Sequence, residues 1–413
     1  MSGNIKFLYW VIGIGLFVWV GCKNGRQEEH TLSDIIVIDL DSLEEADLLL
    51  SHHRVDSLRK FAFQGHVMTV ADGWPDSLRI IKLETSADCL LGAIKKIRFV
   101  DSLIFISDYN DHLYVFDSSG SFRNPIGELG RAPNQVVALS SFYVDRKRKV
   151  VGVYDGYSDC IHRYTFDGIK QDKISCRNEV NGYILDVNQI DDNEILLTLS
   201  SGVGDLYNYA VVSAKDYKLK EYILPYNLRY LENSSRGELS CLALPNGQLW
   251  LTALLSDTIY EYKAGKMLSR FVVKSDCMSL NDRVFESHKE WISPAHASAF
   301  LRDNGYSQGL MAIWATDQYL QFDLSYKDAG YSVYYDYLNH KGYKSKQYSR
   351  GNVLMPGRFL TTTSDAFVSY VTAYDFIHQP EGCIDVDRPL WRDLRERTME
   401  DDNPILMLYY IRK

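Results

Sequence analysis

Apolar and polar positions along the chain alternate in short blocks, and the clearest block runs from Lys96 to Gly127. There IRFVD, LIFISD and HLYVFD are separated by the polar turns DS and YND and followed by DSSG. Runs of five or six residues rich in Val, Ile, Phe and Tyr, bounded by turn formers, predict an antiparallel meander of three or four strands. Such a meander cannot bury both faces alone and needs copies of itself to pack against.

The chain supplies weak copies. In Ser140 to Ile174, VVGVYD answers LIFISD, with Asp155 following Asp108 by 47 positions. HRYTFDG answers LYVFDSSG, with Phe166 following Phe116 by 50. A third copy spans Tyr183 to Leu224, and a fourth Leu239 to Val273 with PNG and KAG as hairpin turns. A polar insertion, Asp276 to about Ala297, precedes a fifth copy from Ala297 to Asp336. A weaker sixth covers Asn352 to Ala373. The segment from Trp391 to Asp402 reads as a charged helix, and PILMLYYIRK as a final strand. At the other end IIVIDL (Ile35 to Leu40) reads as a strand. Leu43 to Phe63 has apolar residues near helical spacing, with acids early and bases late, and predicts a short helix.

A period of 40 to 50 residues with four strands per unit is the signature of a β-propeller. An open ring would leave two unpaired sheet edges. Leu78 to Leu83 and Ile405 to Ile411 can close it by pairing within one blade. The expected fold is therefore all-β: a six-bladed β-propeller with four-stranded antiparallel blades, closed by strands from both termini. The expected organisation is a signal peptide at 1–21, a tether at 22–34, an extension of strand plus helix at 35–77, and the propeller at 78–413.

Composition fits this outline. Of 413 residues 46% are apolar and 13% aromatic, and Tyr (29) far outnumbers Trp (7), a bias toward strands. The net charge of −9 argues against nucleic-acid binding. The one basic run, Arg146 to Lys149, follows Asp145 in an expected hairpin turn.

The first residues point to export. The apolar run Phe7 to Val20 follows Lys6 and is 14 residues long, which suits a signal sequence and falls short of the ~20 needed to span a bilayer. Gly21 and Cys22 then resemble a bacterial lipobox, in which the cysteine receives a diacylglyceryl group, although Trp19 sits where Leu is preferred. An acyl chain anchors a protein at a membrane without a spanning helix. Six other cysteines lie in the chain, none in a CxxC pair or at zinc-ligand spacing. Buried free thiols are the plain reading, with Cys160 and Cys176 the pair to examine for a disulfide.

LETSADCLLG (Leu83 to Gly92), the first blade, GELGRAPNQV (Gly127 to Val136) and the terminus NPILMLYYIRK together resemble the six-bladed β-propeller lipoproteins of Bacteroides and its relatives, which are NHL-like in style. Lys82 replaces the family's proline, and the turn from Gly127 to Val136 lacks two of the family's glycines, its Glu and its Tyr. The resemblance covers about residues 35 to 413. It implies the fold and a cell-envelope location, as an outer-membrane lipoprotein facing the periplasm or the surface. It carries over no catalytic residues, since the family's activity is largely undefined.

Catalytic and nucleotide-binding motifs are missing: the sequence has no GxSxG, HExxH, P-loop or EF-hand spacing. No cofactor or metal is expected. Aspartates recur at strand ends, among them Asp108 and Asp155 at one blade position. Two readings stay open: turn formers whose carboxylates bond their own backbone, or a ring around the central channel that holds a cation or sugar. Tyr109, Tyr157 and Trp291 are the aromatic candidates for stacking, and Arg131 the candidate for a carboxylate or phosphate. Three functions follow: a monomeric binding module for a protein or glycan partner at the envelope, a propeller glycosidase or lyase acting at the channel, and a purely structural envelope component.

Overall fold

The computed structural model describes residues 35–45, 77–177, 179–200, 207–225, 241–243, 248–253, 256–275, 300–301, 303–307, 309–326, 329–347, 359–378 and 389–410. Three strands come first: β1 (Ile36–Asp39), β2 (Glu44–Glu45) and β3 (Ser77–Lys82). The first blade is β4 (Ile94–Val100), β5 (Leu103–Asp108), β6 (Leu113–Asp117) and β7 (Phe122–Pro125). The second is β8 (Leu139–Asp145), β9 (Val150–Asp155), β10 (Cys160–Thr165) and β11 (Lys170–Ser175). The third is β12 (Tyr183–Gln189), β13 (Glu194–Ser200), β14 (Tyr207–Ser213) and β15 (Leu219–Pro225). The fourth is β16 (Cys241–Ala243), β17 (Leu249–Thr252), β18 (Thr258–Lys263) and β19 (Lys266–Lys274). The fifth is β20 (Leu310–Ala315), β21 (Tyr319–Tyr326), β22 (Ala329–Asp336) and β23 (Lys341–Gln347). The sixth begins with β24 (Thr361–Thr362) and β25 (Ala366–Val371), and α1 (Ala373–Ile377) and α2 (Pro389–Glu396) precede its third strand, β26 (Ile405–Tyr410).

Each of the six blades has four antiparallel strands, consecutive in the chain in the first five and completed by β3 in the sixth. The opening strands β4, β8, β12, β16, β20 and β24 neighbour one another in that order and return to β4. This is a six-bladed β-propeller with those strands around the centre. The sixth blade is closed as expected: β26 pairs with β3, with Ile405 opposite Lys82 and Tyr410 opposite Ser77.

Apolar side chains alternate out of each sheet and meet those of the next blade. Ile97, Ile104 and Phe116 of the first blade pack with Ile81, Val368 and Leu406 of the sixth. On its other side, Phe105 and Val115 pack with Phe142 and Val153 of the second. Full burial of such a side chain contributes about 1.5–3 kcal/mol, so the ring is held by layers between blades rather than by one central core.

Two glycines let neighbouring rims meet. Gly120 (φ +92) and Gly168 (φ +78) occupy the same turn of the first and second blades. A Cβ there would collide with the carbonyl oxygen of Lys82 or Pro125, the last residue of the preceding blade's outer strand.

The N-terminal strands join the rim. β1 adds to the fourth blade parallel to β19, with Ile36 opposite Phe271, and Ile38 is fully buried in the layer between the fourth and fifth blades. β2 adds to the fifth blade parallel to β23. The helix expected over Leu43 to Phe63 is thus corrected where it is described. Glu44 and Glu45 form a strand opposite Tyr343 and Lys344, because pairing with an open sheet edge outweighs helical spacing; the remaining residues of that segment lie outside the described ones. The charged helix expected from Trp391 to Asp402 is present as α2 but ends at Glu396, and turns follow it. Cys160 and Cys176 are free buried thiols. Cys160 stands opposite Ser175, so Cys176 falls on the alternate side of the strand path.

Candidate functional site

The turn between the second and third strands is built alike in the first two blades. Asp108 ends β5 and is fully buried. Its carboxylate accepts from the backbone N–H of Gly92 (2.8 Å), Asn110 (3.0 Å) and His112 (2.9 Å), and it contacts His112 Nδ1 (3.1 Å). Asp155 ends β9, equally buried, and accepts from the N–H of Val137 (3.1 Å), Ala138 (3.1 Å) and Tyr157 (3.1 Å) and from Ser158 Oγ (2.8 Å). Burial alone would raise the Asp155 carboxyl; these donors outweigh it and hold the group below the usual carboxylate range. Each aspartate therefore ties its own turn to the loop that enters the blade. Asp111 (φ 66) and Asp159 (φ 53) complete the two turns in the left-handed region.

What the fixed turns display is aromatic. Tyr109 is 65% exposed and Tyr157 69% exposed. They lie at one end of the ring, where the second-to-third-strand turns and the connections between blades come together. Of the eleven large hydrophobic residues exposed among the described ones, eight belong to this end. Leu90 and Leu129 stand in connections between blades, and Tyr183 and Leu185 at the start of β12. Tyr374 and Met399 stand in the long connection from β25 to β26. Leu185 is brought out by a repeated device: β4, β8, β12 and β20 each carry one extra residue near their start, namely Lys95, Ser140, Leu185 and Ala312.

Arg131 is exposed in the connection between the first two blades, at the same end as the two tyrosines. Trp291 and Cys22 lie outside the described residues. The structure thus brings Asp108, Tyr109, Asp155, Tyr157 and Arg131 to one end, with the two carboxylates beneath the surface and the other three side chains on it.

A second polar cluster, which the blade alignment passed over, lies on the inner strands. Lys96, Ser141 and Asp186 hold the same position on β4, β8 and β12, at intervals of 45 residues. Lys96 Nζ donates to Asp186 Oδ1 (2.6 Å), Val187 O (2.8 Å) and Ser141 Oγ (3.1 Å). Ser141 Oγ donates to Asp186, and Arg98 to Asn188. Burial pushes the Asp186 carboxyl up, but the Lys96 and Arg98 cations overcome it and hold the group below its ordinary range. Lys96 thus stands beside the Ser141 hydroxyl with its ammonium paired to the Asp186 carboxylate. The cluster ties three blades across the centre. Among the described residues no group of three or more His, Cys, Asp or Glu side chains is placed to hold a metal ion.

Residues 68–410 match the profile of the domain of unknown function DUF4934. The chain belongs to the DUF4934 family. No curated protein matches it. Among solved structures, this DUF4934 chain is similar to a Bacteroides fragilis protein described as exported, at 18% identity and a TM-score of 0.66, over 92% of this chain and 100% of the other. It is also similar to a DUF4221 member from Bacteroides vulgatus, at 11% identity and a TM-score of 0.53, over 81% of this chain and 96% of the other. At these identities the likeness is one of fold.

Proposed function

We propose that this DUF4934 chain is an interaction module of the bacterial cell envelope, anchored through a lipid on Cys22 and docking a partner protein on the end of the ring that carries Tyr109 and Tyr157. One observation carries the reading: two exposed tyrosines repeated on turns that buried aspartates hold rigid. Tyrosine offers a large contact area with little rotamer entropy to lose and is enriched where proteins meet. Leu90, Leu129, Leu185 and Met399, exposed at the same end, are non-aromatic apolar side chains and match protein side chains better than sugars.

Location at the envelope is supported by the signal-like run ending at Gly21–Cys22, by the motifs that resemble propeller lipoproteins, and by the fold shared with a Bacteroides fragilis protein described as exported. A glycosidase needs two available carboxylates about 5 or 6.5–9.5 Å apart. Asp108 and Asp155 are committed to backbone N–H groups and Asp186 to Lys96, which favours binding over hydrolysis.

The test places a photo-crosslinking amino acid at position 157, and in a second variant at Ile169 in the opposite-end turn, within the full chain in its native envelope. One defined protein adduct from position 157 that is absent from position 169 and lost in Tyr109→Ala is the expected result. Equal adducts from both positions, or none, overturn the reading. Retention of the purified protein on a glycan array, lost in Tyr157→Ala, would replace the protein partner with a sugar.

A further inference from the structure

Between the first and second blades a cleft of about 770 Å³ opens, walled by Pro125, Gly127, Tyr164, Lys170 and Lys173, with Glu128 at its side. That volume falls in the range of small-molecule sites, about 300–1,000 Å³. Its charge is unbalanced. Asp172 lines the cleft but is paired with Arg163, so Lys170 and Lys173 face the single carboxylate of Glu128 and leave one positive charge in excess. Neither Lys170 nor Lys173 forms an ion pair among the described residues. Lys170 Nζ donates to Asn134 O (2.9 Å) and to His162 Nδ1 (3.1 Å), which leaves the third ammonium proton unassigned. Burial and the nearby Lys173 both lower the Lys170 pKa, so the two cations repel each other.

The wall behind them is polar and unsatisfied. His162 is fully buried with Nε2 unpartnered, and Tyr164 is 2% exposed with its hydroxyl unpartnered. A buried polar group without a partner is unfavourable, and a ligand that supplies one relieves it. The phenol tip lies against Gly127, where φ is +77 and a Cβ would stand 3.2 Å from the hydroxyl oxygen. Glycine at that position leaves the thinnest covering a chain can put between the hydroxyl and the cleft. Burial raises the Tyr164 pKa to about 12, so the hydroxyl keeps its proton and remains a donor.

We propose that this cleft binds a monosaccharide-sized ligand bearing one oxyanion, with the anion between Lys170 and Lys173 and the neutral body against Pro125 and Pro133. A carboxylate and a phosphate share the chemistry that two ammonium groups recognise. The cleft borders the tyrosine-bearing end through the connection that carries Gly127, Glu128, Pro133 and Asn134, but neither Tyr109 nor Tyr157 lines it, so its failure would leave that reading untouched.

The experiment titrates the full chain with glucuronate, glucose 6-phosphate and glucose, following backbone amide NMR shifts. One or both anionic sugars should bind, with shifts centred on Gly127, Gly168 and Lys173, and glucose should not. Lys173→Gln, at an exposed position where the fold has little at stake, should weaken the binding at least tenfold, and so should Lys170→Gln. Which anionic sugar binds more tightly identifies carboxylate or phosphate. No binding of either at millimolar concentration, equal binding of glucose, shifts centred elsewhere, or an affinity unchanged in Lys173→Gln would each overturn the proposal.

Discussion

Lys96 on β4 and Asp186 on β12 are 90 residues apart and meet at 2.6 Å, with Ser141 of the intervening blade in contact with both. Asp186 is 31% exposed, so the pair lies deep in the ring yet in reach of water. Removing one partner of such a pair leaves the other charge uncompensated, which is more damaging than removing both. Lys96→Met should destabilise by about 2–4 kcal/mol. The double variant Lys96→Met/Asp186→Leu should recover a substantial part. Urea unfolding midpoints at pH 7 measure both, and a single variant as stable as the parent would show that the tie contributes nothing.

The rim glycines make a controlled pair with Gly265, which has φ +72 but no atom within 4 Å of the point where a Cβ would stand. Gly265→Ala should cost about 1–2 kcal/mol, the strain of a left-handed alanine alone. Gly120→Ala carries the same strain and the clash with the Lys82 carbonyl, adding about 1–3 kcal/mol. Thermal unfolding of the two variants side by side separates backbone strain from contact between blades. Equal losses would mean that the rims yield freely.

Burial, followed by the charges of Lys170 and Lys173, lowers the His162 pKa from 6.5 to about 4, while Asp155, with Oδ2 3.8 Å away, opposes the shift. The unfolded chain therefore binds a proton at this site between pH 6.5 and 4 that the folded chain does not. Stability contributed by neutral His162 is complete above pH 6.5 and falls as pH drops toward 4, by roughly 3 kcal/mol in all. His162→Asn keeps an acceptor for Lys170 and cannot titrate. The difference in melting temperature between parent and variant should therefore change across that window. A constant difference from pH 7 to pH 4.5 would be the contrary result.

Burial pushes the Cys176 thiol up to about 12, so at pH 8 almost none of it is thiolate in the folded chain. Iodoacetamide at pH 8 should leave the peptide containing Cys176 unmodified in the native protein and modify it fully in 6 M guanidinium. Mass spectrometry of the digest decides, and rapid native labelling would show that the outer edge of the second blade opens readily.

The strands of the first blade were legible because their apolar runs coincide with the pairing: LIFISD is β5, and HLYVFD without its first residue is β6. The outer strand β7, FRNP, carries no alternation and is held by its neighbour β6 and the adjoining rim, so its own residues announce nothing. Ring closure was legible because two lone strands remained at opposite ends of the chain. The destination of β1 was hidden, since IVID pairs with a strand 235 positions away. Asp108 and Asp155 were visible as a repeat, but whether such carboxylates face a ligand or their own backbone depends on loop paths that spacing does not encode. Lys96, Ser141 and Asp186 had a signal, polar residues at equal 45-residue intervals inside apolar strands, which alignment on the neighbouring strands obscured. The cleft at Tyr164 joins two blades and has no counterpart in local pattern.

The chain winds around the ring more than once. Among the described strands, β1 lies on the fourth blade, β2 on the fifth and β3 on the sixth, before β4 opens the first. Each of these three strands is thus synthesised well before its partner. β3 needs β26, which follows more than 300 residues later, an interval on the order of tens of seconds at translation rates of about 5–20 residues per second. A nascent or truncated chain therefore presents unpaired strands throughout that interval. Completion of the ring becomes a checkpoint on synthesis: a chain cut short anywhere before β26 lacks its closing blade and is left as a substrate for chaperones and proteases.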